Sequence, residues 1–247
     1  QDLKGRGFFA IIQPVKKGTY MGAGCLTVYI VFAMLVLLPM IFAQVVTGAF
    51  VILGFTPQQA FAILILVLIG GLINIPVKRW PHTPVEESFT KFFNLEKMIR
   101  RMGRPREKIL AVNIGGAVIP GLISIWQIIR LVLRFGDSHP YGMPVFIIVF
   151  SVNVYVSYKL ARPVEGVGIT MPAFIPPLIV SVLSLILAPS IAPVIAFPAG
   201  TLGVLVGADL MHLNDIRKMN TPGGSIGGAG TFDGIFLTGI LSVFLTG

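Results

Sequence analysis

Charge is scarce in this 247-residue chain. Asp, Glu, Lys and Arg together make up 12% of it, about half the share usual in a soluble domain. A particle of this size could not cover itself with so little polar surface, which excludes a water-soluble globular fold. The 55% of hydrophobic residues likewise excludes a disordered chain. Cysteine is nearly missing. Cys25 stands alone in an apolar run, so a secreted disulfide scaffold is excluded and the residue reads as small and buried or lipid-facing. Residues 1–20 have no signal-peptide shape, because Phe8 to Ile12 is too short for its apolar core. No Gly-Lys-Ser/Thr follows the glycine-rich stretch near the C-terminus, so no nucleotide loop is expected.

What is present is apolar sequence in long runs. A helix needs about 20 such residues to cross the hydrocarbon core. Seven candidates follow one another: about Met21–Phe42 with an apolar continuation to Phe55, Pro57–Ile75, Ile109–Leu133, Pro144–Leu160, Met171–Leu187, Val194–Leu210, and Phe232 to the C-terminus. Thr56-Pro57 has the form of an N-cap with proline at the first helical position, and 188–193 reads as a tight turn. With seven crossings, 17 of the 19 basic residues fall on one side, leaving only Arg130 and Arg134 opposite. The positive-inside rule then predicts an all-α, polytopic helix bundle in the cell membrane, N-terminus cytoplasmic and C-terminus outside. The whole of 1–247 is expected to be one transmembrane domain.

Two polar connectors interrupt it. In 77–108, Phe89, Phe92, Phe93, Leu95, Ile99 and Met102 recur at helical spacing among basic residues, which predicts an amphipathic helix on the membrane surface. Membrane lipid is its expected partner, and nucleic acid is not. In 211–231, Gly223 to Gly230 holds five glycines plus Ile226 and little charge. That segment is expected to be a cytoplasmic or re-entrant loop, with backbone N–H groups of Gly227, Gly228 and Gly230 available to a substrate.

Ionisable groups inside a membrane span are costly and mark functional positions. Asp209 ends the sixth span and Asp233 opens the seventh, so a hairpin brings both to the same side at similar depth. Two carboxyls at short range in a low-dielectric site do not both ionise easily. One then holds a proton while the other activates water, the chemistry of aspartic peptide hydrolysis. Asp233 could also serve simply as a helix N-cap. Asp209 lies near a helix C-terminus, an unfavourable place for a negative charge without a partner. His212 follows Asp209 by three residues, but one Asp and one His are too few for a metal site, and none is expected. Asn113, Gln127 and Asn153 are further polar residues within spans. Asn113-Ile-Gly-Gly-Ala also echoes Ser225-Ile-Gly-Gly-Ala, a pairing open to two readings: broken helices around a solute, or glycines for close packing.

Four stretches carry a resemblance: Val112 to Pro120, Ala161 to Ile169, Gly207 to Leu210, and Ser225-Ile-Gly-Gly-Ala-Gly-Thr-Phe-Asp-Gly-Ile-Phe-Leu-Thr-Gly239. Through them, residues 107–247 resemble an uncharacterised family of multi-spanning membrane proteins of archaea and thermophilic bacteria. More distantly, Asp209 and Asp233 are similar in order and orientation to the catalytic pair of presenilin and signal-peptide-peptidase-type proteases. That second resemblance implies catalytic roles for both residues. It departs from those enzymes in two respects: Thr231 and Phe232 separate Gly228-Ala229-Gly230 from Asp233, and no Tyr precedes Asp209.

Three functional classes follow. The first is an intramembrane aspartyl hydrolase acting on a transmembrane peptide through Asp209 and Asp233. The second is a transporter or channel passing a small solute along Asn113, Asn153 and the two aspartates. The third is a non-catalytic scaffold.

Overall fold

The computed structural model describes residues 17–81, 107–164, 168–218, 223–228 and 233–247. The chain divides into two units, Gln1–Ala43 and Gln44–Gly247. In the first, the described part belongs to helix α1 (Lys17–Ile52), which continues through Pro39. A proline inside a helix removes one backbone hydrogen bond, and membrane helices tolerate that loss.

The second unit begins with the end of α1, where Val46, Ala49, Phe50 and Leu53 are buried. Residues 43–52 are therefore helix. Thr56 then starts α2 (Pro57–Gly70) as the sequence predicts. Its side chain accepts from the Gln59 N–H at 3.3 Å, the Gln59 side chain accepts from the Thr56 N–H at 3.0 Å, and Pro57 opens the helix.

The all-α expectation is corrected in the connectors. Asn74–Pro81 forms β1 and Glu107–Asn113 forms β2, antiparallel in register from Asn74↔Asn113 to Pro81↔Glu107. The register shifts between Pro76 and Lys78, where proline has no N–H to give the ladder. Further on, Gly223–Ile226 is β5 and joins β2 in parallel, Ile109↔Gly223 through Val112↔Ile226. A small hairpin pairs β3 (Arg162–Val164) with β4 (Gly168–Thr170). These strands take residues assigned to span ends and loops. They are too short to cross a bilayer, and pairing satisfies backbone groups that apolar surroundings would leave without partners. The expected surface helix over Phe89–Met102 lies outside the described residues.

Helices α3 (Ile119–Phe135), α4 (Gly142–Leu160), α5 (Ile175–Leu187), α6 (Ala192–Val204) and α8 (Gly234–Thr246) complete the bundle, with a six-residue helix α7 (Leu213–Lys218) before β5. Among the described residues seven helices have 13 residues or more. Four helical stretches are long and apolar enough to cross a membrane: Leu26–Ile52, Ile114–Phe135, Gly142–Leu160 and Pro189–Lys218. Pro57–Gly70, Ile175–Leu187 and Gly234–Thr246 are apolar but shorter than a full crossing.

The polarity of these helices is turned inside out relative to a soluble bundle. On α3 the buried side includes Ser124 and Gln127, while Leu122, Ile125, Ile129 and Leu133 face outward. On α4, Asn153 and Ser157 are buried while Ile147, Ile148 and Tyr155 are exposed. Such a molecule suits lipid as its surroundings.

Helix α6 is apolar on every side and sits at the centre, packed against α8, α4, α3 and α5. In lipid, close packing and hydrogen bonds hold helices together rather than exclusion of water. Gly203 illustrates this: a Cβ there would stand 2.3 Å from the Asn153 amide nitrogen, so glycine is what lets α4 approach. Asn153 uses that proximity to donate to the carbonyls of Ala199 at 3.0 Å and Gly200 at 3.1 Å.

Candidate functional site

Asp209 belongs to a π-helical turn, Leu205–Leu210, that continues α6. The wider turn is closed by the Met211 N–H donating to the Val206 carbonyl, five residues back, at 3.0 Å. Single π turns are uncommon and cluster at functional positions. His212 secures this one. Its Nδ1 lies 3.2 Å from the Gly207 carbonyl and 3.0 Å from that of Ala208, and its ring rests 4.9 Å from the Tyr158 ring. Carbonyl oxygens only accept, so Nδ1 carries the proton. His212 is thus a structural clasp on the turn that presents Asp209. Its spacing from Asp209 was visible in the sequence, but its role was not.

Asp233 sits at the N-cap of α8 with extended backbone, and its Oδ1 accepts from the Ile235 N–H at 3.0 Å. The capping role is real. The same residue shares with Asp209 the lining of one cavity of about 270 Å³. Ile169, Met171 and Ala173 form one wall of it, and Val204, Ala208 and Leu237 form others. The two acids therefore stand in largely apolar surroundings, where their mutual interaction is strong.

The glycine segment reaches the site from the sheet. After β5 the chain turns, with the Gly228 N–H donating to the Ser225 carbonyl at 3.2 Å. Gly227 takes φ +68° in that turn, and its N–H lies within electrostatic reach of the Asp209 carboxylate. A Cβ on Gly227 would stand 2.7 Å from the Ala117 nitrogen and the Gly116 carbonyl carbon. Only glycine fits, on both conformational and steric grounds. Gly228 follows in the turn, and Gly230 lies outside the described residues.

Asn113 does not line this cavity. It is fully buried at the start of a second π turn, Ile114–Val118. Its Oδ1 accepts from the Gly116 N–H at 2.8 Å, and its amide donates to the Gly71 carbonyl at 2.8 Å and to Asn74 Oδ1 at 3.2 Å. Asn74 Oδ1 also accepts from Ser225 Oγ at 2.6 Å. A polar chain from Asn113 through Asn74 and Ser225 thus holds the turn that reaches Asp209. The two echoing Ile-Gly-Gly-Ala stretches prove to be neighbours: Ala111 pairs with Ser225 and Val112 with Ile226, and Gly227 rests on the second π turn. Asn153 lies deeper, on α4 against α6, and also accepts from Ser157 Oγ at 3.4 Å. Gln127 is not among the residues lining the cavity and donates to the Leu53 carbonyl at 3.1 Å.

Comparison with known proteins yields one match. Residues 68–245 match the family described as Protein of unknown function (DUF1614). No curated protein and no solved structure matches the chain significantly, so the likeness to presenilin-type proteases gains no support from comparison. The match takes in α3 to α8, both π turns, the sheet strands β2 and β5, and the two aspartates, and it covers most of the chain. On this ground, and on the inverted polarity of its helices, the chain is an integral membrane protein that belongs to the DUF1614 family, a family of unknown function.

Proposed function

We propose that this protein hydrolyses peptide bonds at or within the membrane, with Asp209 and Asp233 as its catalytic pair. The observation that carries the reading is the cavity onto which both carboxyls open, walled by apolar side chains and formed where two adjacent helices meet. In such a pair the carboxyls share one proton. The ionised member takes a proton from water as the water oxygen attacks the scissile carbonyl carbon. The protonated member gives its proton to the carbonyl oxygen, producing a gem-diol. Collapse reverses the traffic: the leaving nitrogen gains a proton from the first carboxyl, the C–N bond breaks, and the second carboxyl regains a proton from the diol. Gly227 and the π turn hold Asp209 in place for both steps. The membrane supplies the substrate class, a transmembrane peptide.

The transport reading has less to support it. Asn113 and Asn153 spend their amides on protein carbonyl oxygens, those of Gly71, the Asn74 side chain, Ala199 and Gly200, and neither lines the cavity of the acids.

A photoreactive hydroxyethylene isostere of a peptide, which mimics the gem-diol, tests the proposal without a known substrate. Purified protein in detergent is expected to be labelled, competitively with the unlabelled isostere, and Asp209→Asn and Asp233→Asn are expected to lose the label while remaining folded. Equal labelling of both variants and the parent chain would sink the hydrolase reading.

A further inference from the structure

At the other end of α3 from the Gly116–Gly227 contact lies a second cavity, of about 330 Å³, lined by Gly54, Phe55, Gln59, Trp126, Arg130 and Arg134. Two arginines four residues apart share one helix face, where like charges repel. Among the described residues, Arg130 is held by neutral groups. Its Nη1 donates to the Leu53 carbonyl and, at 3.3 Å, to Gln127 Oε1, and its guanidinium lies 4.8 Å from the Trp126 ring centre. Nε is buried and has no hydrogen-bond partner among the described residues. Nη2 turns to the cavity edge at Gly54, where it lies 2.8 Å from the position a Cβ would occupy, and Gly54 itself takes φ +91°. Arg134 is exposed and makes no ion pair among the described residues.

Everything else around the cavity favours a negative guest. Gln59 has committed its Oε1 to the Thr56 N–H, which leaves its NH₂ as a donor. It stands in the first turn of α2, at the positive end of a 14-residue helix. Trp126 and Phe55 pack with ring centres 4.6 Å apart, tilted by 36°, as an apolar floor beside the charges. Arg134 stands in the last turn of α3, and residues 54–59 carry the chain from α1 into α2, so the cavity lies at helix ends, where headgroups meet a membrane protein. The Arg134 fork, the Nη2 of Arg130 and the Gln59 amide together match the several oxygens of a phosphate better than a single carboxylate.

We propose that this cavity binds a phosphate-bearing anion, which at this depth is the headgroup of an anionic phospholipid. The inference is independent of the hydrolase reading.

The chain has two tryptophans, Trp80 and Trp126, so a Trp80→Phe background leaves Trp126 as the sole reporter. Phosphatidylglycerol titrated into micelles of this protein is expected to give a saturable change in Trp126 emission. Arg134→Gln removes one charge-assisted contact and is expected to raise the half-saturating concentration about tenfold. Gly54→Ala, whose Cβ would displace the Arg130 guanidinium, is expected to weaken binding as well. Inorganic phosphate serves as the second probe. If it saturates the signal with the same Arg134 dependence and lipid adds nothing, the guest is a soluble phosphate, and the site stands. A response to phosphatidylglycerol alone identifies the headgroup. Equal binding of phosphatidylcholine, an unchanged midpoint in Arg134→Gln, or no saturable response to either phosphate source overturns the proposal. Native mass spectrometry of the unsubstituted chain counts retained lipid and decides the matter even if the Trp80→Phe background does not fold.

Discussion

Gly227 brings its backbone N–H within electrostatic reach of the Asp209 carboxylate from a left-handed turn that leaves no room for a side chain. A β-carbon at Gly227 would meet the Gly116–Ala117 peptide at 2.7 Å, so the turn must move and take its N–H away from the acid. Gly227→Ala is therefore expected to cost about 1 kcal/mol from the conformation alone, with steric displacement in addition. It is also expected to reduce isostere labelling by more than its loss of thermal stability explains. Labelling equal to the parent chain would separate Gly227 from the site.

Asp233 has two duties that substitution can divide. Asparagine caps a helix about as well as aspartate, whereas alanine loses about 1 kcal/mol at such a position. Asp233→Asn is expected to melt near the parent temperature yet lose activity, and Asp233→Ala to lose both. If Asp233→Asn kept its activity, capping alone would account for the residue.

His212 offers a test of the π turn. His212→Phe preserves stacking on Tyr158 but removes the donor shared by the Gly207 and Ala208 carbonyls. His212→Asn replaces the donor and gives up the ring. Activity is expected to fall further in the phenylalanine variant than in the asparagine variant, with overall helicity unchanged by circular dichroism. The reverse order would assign His212 a packing role only.

Asn153 is expected to matter for stability rather than for chemistry. Asn153→Ala leaves the Ala199 and Gly200 carbonyls without its amide and opens space against Gly203. Each lost buried hydrogen bond costs about 1 kcal/mol and the emptied space adds to it, so the melting temperature in detergent is expected to drop. Labelling of the fraction that remains folded at low temperature is expected to persist.

Much of the bundle was legible because lipid imposes a simple rule on sequence. Apolar length located the helices, and Thr56-Pro57-Gln58-Gln59 announced the start of α2 through local chemistry alone. The meeting of Asp209 and Asp233 followed from hairpin geometry, since one ends a helix and the other begins its neighbour. The strands were hidden for the opposite reason. Residues 109–112 pair with 223–226 across more than a hundred residues, and nothing in either segment names its partner. Span ends were misread wherever a strand continued the apolar pattern, as at Ile75 and Ile109. The duties of Asn113 and Asn153 were likewise invisible, because a buried amide reads the same in a sequence whether it meets a solute or a carbonyl.

The parallel pairing of β2 with β5 also sets an order of assembly. Its first strand leaves the ribosome well before its second, and Asp233 follows the second. Gly227 cannot reach Asp209 until β5 has found β2, and Asp233 cannot join Asp209 at the cavity until α8 has packed against α6. The nascent chain therefore carries an incomplete pair of acids throughout synthesis of its first six long helices. Pairing of the two acids is thus a late event in synthesis, waiting on a helix that follows all the others described.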